Sequence, residues 1–286
     1  MEAYEKFHIG MARNIQRLPE NCPLPSILAS LGWMDIQSLI DISKLLFGYR
    51  MLSLVCTSVY RIVMVKRFYC ILYSYSACII SPLGEFISLC RKYNLLSEVE
   101  SWLESGDIIC KHSWKKLCKQ AVMDYSFPRW RLQLKLYRKL STYRVIQLFI
   151  TPSVWWCVAR NNVKLKMACC TVLRLLNNCD RLRINIDVSV PRNERLCECC
   201  TKGEVEDLYH MLMSCLLYND ICETMINKID LEISEQSRSS IYSLSPLMQY
   251  YIYLGLDFPI SQDDLICLRE ISCQAIHKMY CRRLNF

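Results

Sequence analysis

The residues with the clearest chemistry are three cysteines and a histidine at fixed spacing in the last third of the chain. Cys197 and Cys200 are separated by two residues, and His210 follows after nine more. Four residues separate that histidine from Cys215. A C-x2-C turn can present two thiolates to one ion, and a histidine with a third cysteine completes a tetrahedral Cys3His set. Because four protein ligands leave no position for water, the pattern predicts one structural Zn²⁺.

Chance spacing is the competing interpretation, because the chain contains nineteen cysteines. Cys199 could replace either neighbouring ligand, and Cys222 lies close by in sequence. A histidine at ligand spacing, in a chain with only four histidines, favours the metal site. If zinc is the ion, it contributes about 10–16 kcal/mol to the folding of this segment.

Acidic residues lie between the predicted ligands. Glu204, Glu206 and Asp207 precede a short predicted helix over residues 208–214, which would carry His210. Negative charge is favourable at a helix N-terminus, so these acids suit the helix start. They would also crowd an anionic site, so we expect them to have no direct role in metal binding.

A second feature is a strongly basic block in the middle of the chain. Residues 111–183 contain sixteen Lys and Arg and only two acidic residues, within a chain of net charge +8. Such a block is typical of a surface that binds nucleic-acid phosphate, because each neutralised phosphate releases counterions. The candidates for phosphate contact are Lys111, Lys115, Lys116, Lys119, Arg129, Arg131, Lys135, Arg138, Lys139 and Arg144.

Aromatic residues are interleaved with these cations, namely Trp114, Trp130, Tyr137, Tyr143, Trp155 and Trp156. Their rings could stack on unpaired bases of RNA or DNA. A helical domain with a solvated basic face and ordinary core tryptophans explains the same pattern equally well. Sequence alone leaves these two interpretations open.

The elements that must position these residues are mostly helices, as hydrophobic periodicity indicates. An apolar stripe predicts that a first helix buries one face, made of Tyr4, Phe7, His8, Met11, Ala12 and Ile15. Ser261 followed by Asp264 predicts the start of the last helix. Residues 130–136 fit a strand or a helix, so that segment stays undecided.

The composition is that of a folded chain, with 52% apolar and 22% charged residues. An odd number of cysteines and an acidic, amphipathic start disfavour a disulfide-rich secreted protein, so we expect reduced thiols in the cytoplasm or nucleus. Residues 68–84 form an uncharged run that is shorter than the usual membrane span of about 20 residues. We interpret this run as a buried core segment and expect no membrane partner.

These patterns predict a mainly α fold, an irregular helical assembly with a small Cys3His zinc module. We expect four regions along the chain. They are an apolar helical region over 1–110, a basic helical region over 111–190, a zinc-binding module over 191–226 and a C-terminal helical region over 227–286.

Residues 195–218 resemble the zinc-binding segment that follows the reverse transcriptase domain in non-LTR (LINE-type) retrotransposon proteins. That family shows a cysteine pair, a glutamate-rich turn, a histidine that opens an apolar helix, a last cysteine and a nearby tyrosine. The matching features here are Cys197 with Cys200, residues 204–207, His210, Cys215 and Tyr218. The resemblance implies the three cysteines and His210 as the zinc ligands.

Other parts of the chain agree with this resemblance. Residues 5–19 and 31–50 are similar to the helical stretch after the polymerase palm, which the 1–110 region would represent. Residues 114–116 and 154–157 are similar to the region between that stretch and the zinc motif. Since the family's downstream region is thought to hold element RNA or target DNA, the resemblance implies a nucleic-acid partner.

Catalytic motifs are absent from the sequence. The Asp263-Asp264 pair begins a helix in a context unrelated to the Tyr-x-Asp-Asp-type turn of a polymerase, and no endonuclease array is recognisable. His112 and His277 have no obvious nucleophile-and-orienter pairing, which disfavours a thiol enzyme. We therefore expect a non-enzymatic protein with no small-molecule substrate. The alternative is a zinc-stabilised interaction scaffold, or a fossil fragment without activity, that self-associates through exposed apolar surface.

Overall fold

A computed structural model describes residues 2–73, 81–186 and 189–285. The chain forms two compact units. The inserted unit is Met34–Leu132, and the discontinuous unit joins Met1–Trp33 to Gln133–Phe286. The four regions expected from sequence were defined by charge and apolar content, not by which residues pack together. They stay a prediction about chain organisation.

The predicted mainly helical fold is confirmed, since 73% of the described residues are helical. Within the described ranges there is no extended strand, and two isolated bridges join Leu31 to Pro152 and Leu196 to Val205. The α-helices are α1 (Glu2–Gln16), α2 (Leu24–Ser30), α3 (Ile36–Leu52), α4 (Val59–Tyr73), α5 (Pro82–Lys92), α6 (Leu96–Ser105), α7 (Lys111–Leu136), α8 (Ser141–Ile146), α9 (Val154–Asn161), α10 (Lys166–Leu176), α11 (Arg183–Ile186), α12 (Leu208–Met213), α13 (Asn219–Glu232), α14 (Glu235–Tyr242), α15 (Pro246–Tyr253) and α16 (Gln262–Arg283).

Side-chain caps start several of these helices. The Asp35 carboxylate accepts a hydrogen bond from the Ser38 N–H at 2.7 Å and begins α3. The Ser261 hydroxyl accepts from the Asp264 N–H at 3.1 Å, as the sequence predicts for α16. Each cap satisfies a backbone donor that would otherwise lack a partner in the first helical turn.

The undecided segment over residues 130–136 is the end of α7, which continues past Pro128. Trp130 and Leu134 are buried, whereas Leu132 and Leu136 are 62% and 75% exposed. Burial at every fourth residue is the helical period, so the apparent alternation of a strand is misleading here.

The inserted unit has its core between α3, α5, α6 and the first turns of α7. The Trp114 indole N–H donates to the Leu45 carbonyl at 3.2 Å, and its ring meets Trp102 edge-on at 4.5 Å. Gly48 of α3 lies directly against the buried Phe86 ring of α5. A residue without a side chain therefore sets the close approach of these two helices.

The uncharged run over residues 68–84 is only partly covered by the described residues. Phe68 and Leu83 are buried in the core of the inserted unit, while residues 74–80 lie outside the described ranges. Among the helices described, none has the length and apolar character needed to cross a bilayer.

In the discontinuous unit, α1 forms as predicted, but the predicted buried stripe is wrong. Ala12 is fully buried, whereas Tyr4 and Phe7 are about 70% exposed, and Met11 and Ile15 are also exposed. The helix contacts a small cluster through Ala12, and the Gln16 amide donates to the Ala12 and Ile27 carbonyls. Hydrophobic periodicity indicates which residues share one face of a helix, but it does not indicate whether another element packs against that face.

We expect Gly48→Ala to lower the free energy of unfolding by about 1–3 kcal/mol, because the new Cβ would overlap the packed ring of Phe86. An ideal Cβ at this position lies 2.0 Å from the nearest ring carbon. Gly10→Ala in α1 is the matched control, since nothing lies within 4 Å of its Cβ position. The control should gain up to about 1 kcal/mol from helix propensity. Urea unfolding followed by circular dichroism measures both, and equal stability of the two variants would contradict the close packing.

Candidate metal centre

A short hairpin presents the first two candidate ligands. The Leu196–Val205 bridge is extended by two backbone hydrogen bonds, from the Cys197 N–H to the Glu204 carbonyl at 2.8 Å and from the Glu206 N–H to the Arg195 carbonyl at 2.9 Å. Gly203 turns the chain with φ +66°, a left-handed conformation that suits glycine. Cys197 and Cys200 therefore occupy the turn side of the hairpin.

The third candidate ligand lies on α12. The Asp207 carboxylate accepts from the His210 N–H at 2.8 Å and caps this helix. After one and a half turns the helix ends, and the Cys215 N–H donates to the His210 carbonyl at 2.8 Å. This bond brings the fourth candidate, Cys215, back to the histidine.

The structure brings the four predicted residues together. Their ligand atoms all lie within 4.8 Å of one another. The Cys197 and Cys215 sulfurs are 3.9 Å apart, and the Cys200 sulfur is 3.4 Å from His210 Nε2. Three of the four side chains are buried, and Cys200 is partly exposed. A Cys3His cluster that could hold a metal ion is therefore present.

Glu204 orients the histidine, a role that the sequence analysis missed. Its carboxylate lies 2.8 Å from His210 Nδ1 and accepts a further hydrogen bond from the Ser214 hydroxyl at 2.7 Å. These bonds from Ser214 and His210 lower the pKa of Glu204. Because the Glu204 carboxylate accepts a hydrogen bond from Nδ1–H, the unprotonated Nε2 of His210 faces the sulfurs. The glutamate-rich turn was visible in the sequence, but the pairing with His210 depends on the fold of the hairpin.

The Cys200 thiol is the most acidic of the cluster. Burial raises its pKa, but hydrogen bonds from the Lys202 N–H and the Cys197 thiol help to outweigh burial, and the pKa is lowered to about 7. The thiolate is the form of cysteine that binds metal. The turn thus supplies backbone and side-chain hydrogen-bond donors that stabilise the Cys200 thiolate independently of a metal ion.

The two substitute ligands left open by the sequence lie in different places. Cys199 belongs to a second group with Cys197 and Glu206, in which Glu206 is already engaged by an arginine. Cys222 donates to the Leu212 carbonyl at 3.8 Å and is outside both groups. Geometry therefore favours the predicted set over either substitute.

An ion pair fixes this centre to the last helix. Glu206 is 2% exposed, and Arg283 at the end of α16 binds its carboxylate through Nε and, at 3.0 Å, through a terminal nitrogen. The Arg183 N–H donates to the same carboxylate at 2.9 Å. None of the three acids near the ligands belongs to the Cys3His set, since Glu204 orients His210, Asp207 caps α12 and Glu206 anchors α16.

The ten basic candidates are divided between the two units. Lys111, Lys115, Lys116, Lys119, Arg129 and Arg131 belong to the inserted unit, and Lys135, Arg138, Lys139 and Arg144 to the discontinuous one. All are exposed except Arg131 and Arg144, which are half-buried.

Four of these lysines form what we call the lysine ridge of α7, comprising Lys111, Lys115, Lys116 and Lys119. All four side chains are exposed, whereas Trp114, Cys118 and Val122 of the same helix are buried. Within the part of the chain that the structure describes, no ion pair joins any of the four to a carboxylate. The ridge is an exposed row of uncompensated positive charge.

Four of the six aromatic residues that were candidates for stacking are core residues. Trp114 and Trp155 are fully buried, Tyr143 is 1% exposed and Trp130 is 7% exposed. The expectation that these four rings could stack on bases is therefore wrong. Tyr137 is 39% exposed, and Trp156 is partly buried. Large aromatic rings contribute much of the volume of a core. They stand beside cations in the sequence because buried and exposed positions alternate along a helix.

Comparisons with protein-family models, with curated proteins and with solved structures find no match to this chain. What the centre can do must therefore be argued from its own geometry.

We expect Arg283→Ala to lower the free energy of unfolding by about 3–5 kcal/mol, because it leaves the buried Glu206 carboxylate without its positively charged partner. Arg282→Ala removes the neighbouring arginine, whose partner Asp220 is 65% exposed, and it should cost at most about 1 kcal/mol. Urea unfolding at constant metal content measures both. Similar losses in the two variants would show that the Glu206 pair is not the anchor.

Proposed function

We propose that this protein is a non-catalytic, zinc-containing protein derived from a non-LTR retrotransposon, and that it binds RNA or DNA. The observation that carries the proposal is the convergence of the Cys3His set on one point. The resemblance of residues 195–218 to the retrotransposon zinc segment and the basic block support it from the sequence. The described cysteines other than Cys70 are free thiols, so a reducing compartment, either nucleus or cytoplasm, suits the chain.

Zinc fits the distances within the cluster. Ideal Zn–S and Zn–N bonds of about 2.3 and 2.0–2.1 Å give tetrahedral edges of about 3.8 Å between sulfurs and about 3.5 Å between sulfur and nitrogen. The corresponding separations here are 3.9 and 3.4 Å. Soft thiolates with one imidazole also select Zn²⁺ over Mg²⁺ or Ca²⁺, which prefer oxygen.

A structural role fits this donor set better than a catalytic one. Four protein ligands complete a tetrahedral zinc site and leave no position for a water or a substrate. The hydrogen bond from His210 to Glu204 resembles the carboxylate–histidine support found around many zinc ligands. The ion would join the hairpin, which carries Cys197 and Cys200, to α12, which carries His210.

The lysine ridge of α7 supplies the proposed contact to nucleic acid. Lys111, Lys115 and Lys119 lie on successive turns, about 6 Å apart along the helix axis. Such a row neutralises phosphates without reading bases. Because four of the six candidate stacking rings are buried, phosphate contacts dominate the proposed interface, so weak sequence preference and steep salt dependence follow.

A second candidate function is a zinc-stabilised scaffold that self-associates. The observation in its favour is the exposed apolar face of α1, where Tyr4 and Phe7 are about 70% exposed. Exposed apolar residues of this size are typical of interaction surfaces. Light scattering distinguishes the two candidates, because a clean monomer at high concentration would leave this second function without support.

We expect one zinc ion per chain in protein purified under reducing conditions, and its loss in Cys200→Ser and His210→Ala. Cys199→Ser and Cys222→Ser are matched controls that should keep the ion, because neither thiol completes the Cys3His set. Glu204→Gln should keep the ion but weaken its affinity about 10–100-fold, since it supports the histidine ligand. Elemental analysis and competition with a zinc chelator measure these outcomes. A folded wild-type protein without zinc would overturn the proposal.

We expect Lys115→Gln with Lys119→Gln to weaken binding to any nucleic acid and to reduce the salt slope of log K by about 1.4–1.8. The control, Lys6→Gln with Lys44→Gln, removes the same charge from lysines that are paired with Glu2 and Glu85. Fluorescence anisotropy with labelled single-stranded RNA and duplex DNA, titrated with salt, measures both. Wild-type binding that does not change with salt, or equal effects of the two double variants, would contradict a phosphate contact at the ridge.

A further inference from the structure

The inserted unit exposes a group of apolar side chains at the start of α4. Val55, Val59 and Tyr60 are 71–76% exposed, and Ile62 and Val63 are 45% and 51% exposed. Residues three and four apart on a helix are surface neighbours, so Val59 adjoins Ile62 and Val63, and Tyr60 adjoins Val63. We call these five residues the α4 patch. A contiguous apolar group on the surface of a soluble domain is typical of an interaction site.

The core of the inserted unit does not use these side chains. Phe68 is buried in that core, and Met64, Val65, Ile71 and Leu72 of the same helix pack against it. Among the described residues that form or line this core, none belongs to the α4 patch. The helix therefore carries more apolar side chains than its packing requires, and the surplus is in contact with solvent.

Positive charge accompanies the patch. Residues 42–84 contain five Lys and Arg and no acidic residue. Three of these cations, Arg61, Lys66 and Arg67, are on α4, and the last two are exposed. Among the residues described, no ion pair joins the three to a carboxylate. The start of α4 thus presents apolar and uncompensated cationic side chains together.

Negative charge limits this surface on one side. Burial and then the Glu104 carboxylate of α6 raise the pKa of Tyr69, which lies in the second half of α4. An acid is therefore close to that half of the helix. The apolar and cationic surface is confined to the segment from Val55 to Arg67.

We propose that the α4 patch docks on the surface of a bilayer that contains anionic lipids. The valines and the isoleucine would enter the boundary between headgroups and acyl chains, and the cations would contact the lipid headgroup anions. The Tyr60 ring suits the same boundary, because it joins an apolar body to a polar hydroxyl. The expectation of no membrane partner rested on the length that a spanning helix needs, and a helix that lies on the surface has no such requirement.

Two other occupants fit the patch less well. A second copy in a symmetric contact would bring the cations of one chain against the same cations of the other. Nucleic acid would satisfy the cations, but its phosphates offer no apolar partner to the exposed valines. A bilayer interface accommodates both kinds of side chain. This inference is independent of zinc and of the proposed nucleic-acid contact, since no residue of the patch belongs to either.

The test is flotation of the reduced, full-length protein with two kinds of vesicle. One contains phosphatidylcholine alone, and the other contains phosphatidylcholine mixed with phosphatidylserine. Binding to the mixed vesicles should be tighter by about tenfold or more, because each cation near an anionic surface adds to the affinity. The difference should shrink as salt is added, since salt screens the charges.

Val59→Ser with Val63→Ser tests the apolar part. This double variant should weaken binding to the mixed vesicles by about tenfold or more, because less apolar area leaves water on docking. Tyr4→Ser with Phe7→Ser is the matched control, since these side chains are also highly exposed but belong to the other unit. The control should bind like the wild type. Circular dichroism checks that the variants are folded, as expected for substitutions of exposed residues.

Lys66→Gln with Arg67→Gln tests the charged part. It should weaken binding to the mixed vesicles by about tenfold or more and leave binding to phosphatidylcholine unchanged. Lys115→Gln with Lys119→Gln, from the lysine ridge, removes the same charge elsewhere and should have no effect on vesicle binding.

Several outcomes would overturn the proposal. Equal binding of the wild type to both vesicles would exclude an anionic lipid surface, and equal losses in the patch and control variants would show non-specific adsorption. If the Lys66 and Arg67 variant weakens binding to RNA or DNA but not to vesicles, the patch is a nucleic-acid surface. If the Val59 and Val63 variant dissociates a dimer in light scattering and leaves vesicle binding unchanged, the occupant is a second copy.

Discussion

Glu206 carries a negative charge that is almost entirely removed from water, and much of the discontinuous unit is arranged to stabilise it. Burying an unpaired carboxylate costs several kcal/mol, so the charge requires partners wherever the chain folds around it. Arg283 reaches it from the last turn of α16, and the Arg183 backbone reaches it from the start of α11. One carboxylate thus joins three segments that are distant in sequence. Because Glu206 is also next to the last residue of the Leu196–Val205 bridge, this joint sets the orientation of the hairpin that carries Cys197 and Cys200.

The candidate site could be predicted from sequence where the chemistry depends on local spacing. The turn between Cys197 and Cys200 is a local structure, and so is the capped helix that carries His210, so the spacing of these residues was sufficient to bring them together. The roles of the acids could not be predicted in the same way. Glu204, Glu206 and Asp207 are nearly adjacent, yet one contacts the histidine, one an arginine from the far end of the chain and one the backbone of α12. Only the tertiary structure decides among these partners.

The same distinction separates the confirmed helices from the misassigned faces. The Ser261 cap and the period of α16 are local, and they are found as predicted. The outward face of α1 and the buried tryptophans of the basic block depend instead on what lies opposite them. Amphipathicity identifies a stripe, but the stripe becomes core only when a second element covers it. In α7 Trp114 is covered by the core of the inserted unit and the neighbouring lysines stay exposed, a result that composition alone could not decide.

The order of the two units along the chain has a consequence for protein synthesis. Residues 34–132 can fold as a unit as soon as they leave the ribosome, but the small cluster around Ala12 and Ile27 includes Cys179. At about 5–20 residues per second, the ribosome needs on the order of ten seconds to add the intervening residues. The packing around α1 and α2 is therefore completed only after Cys179 has been synthesised, when the inserted unit has already emerged. A pause in translation within this interval would prolong the exposure of Ala12 and Ile27, which the complete cluster buries.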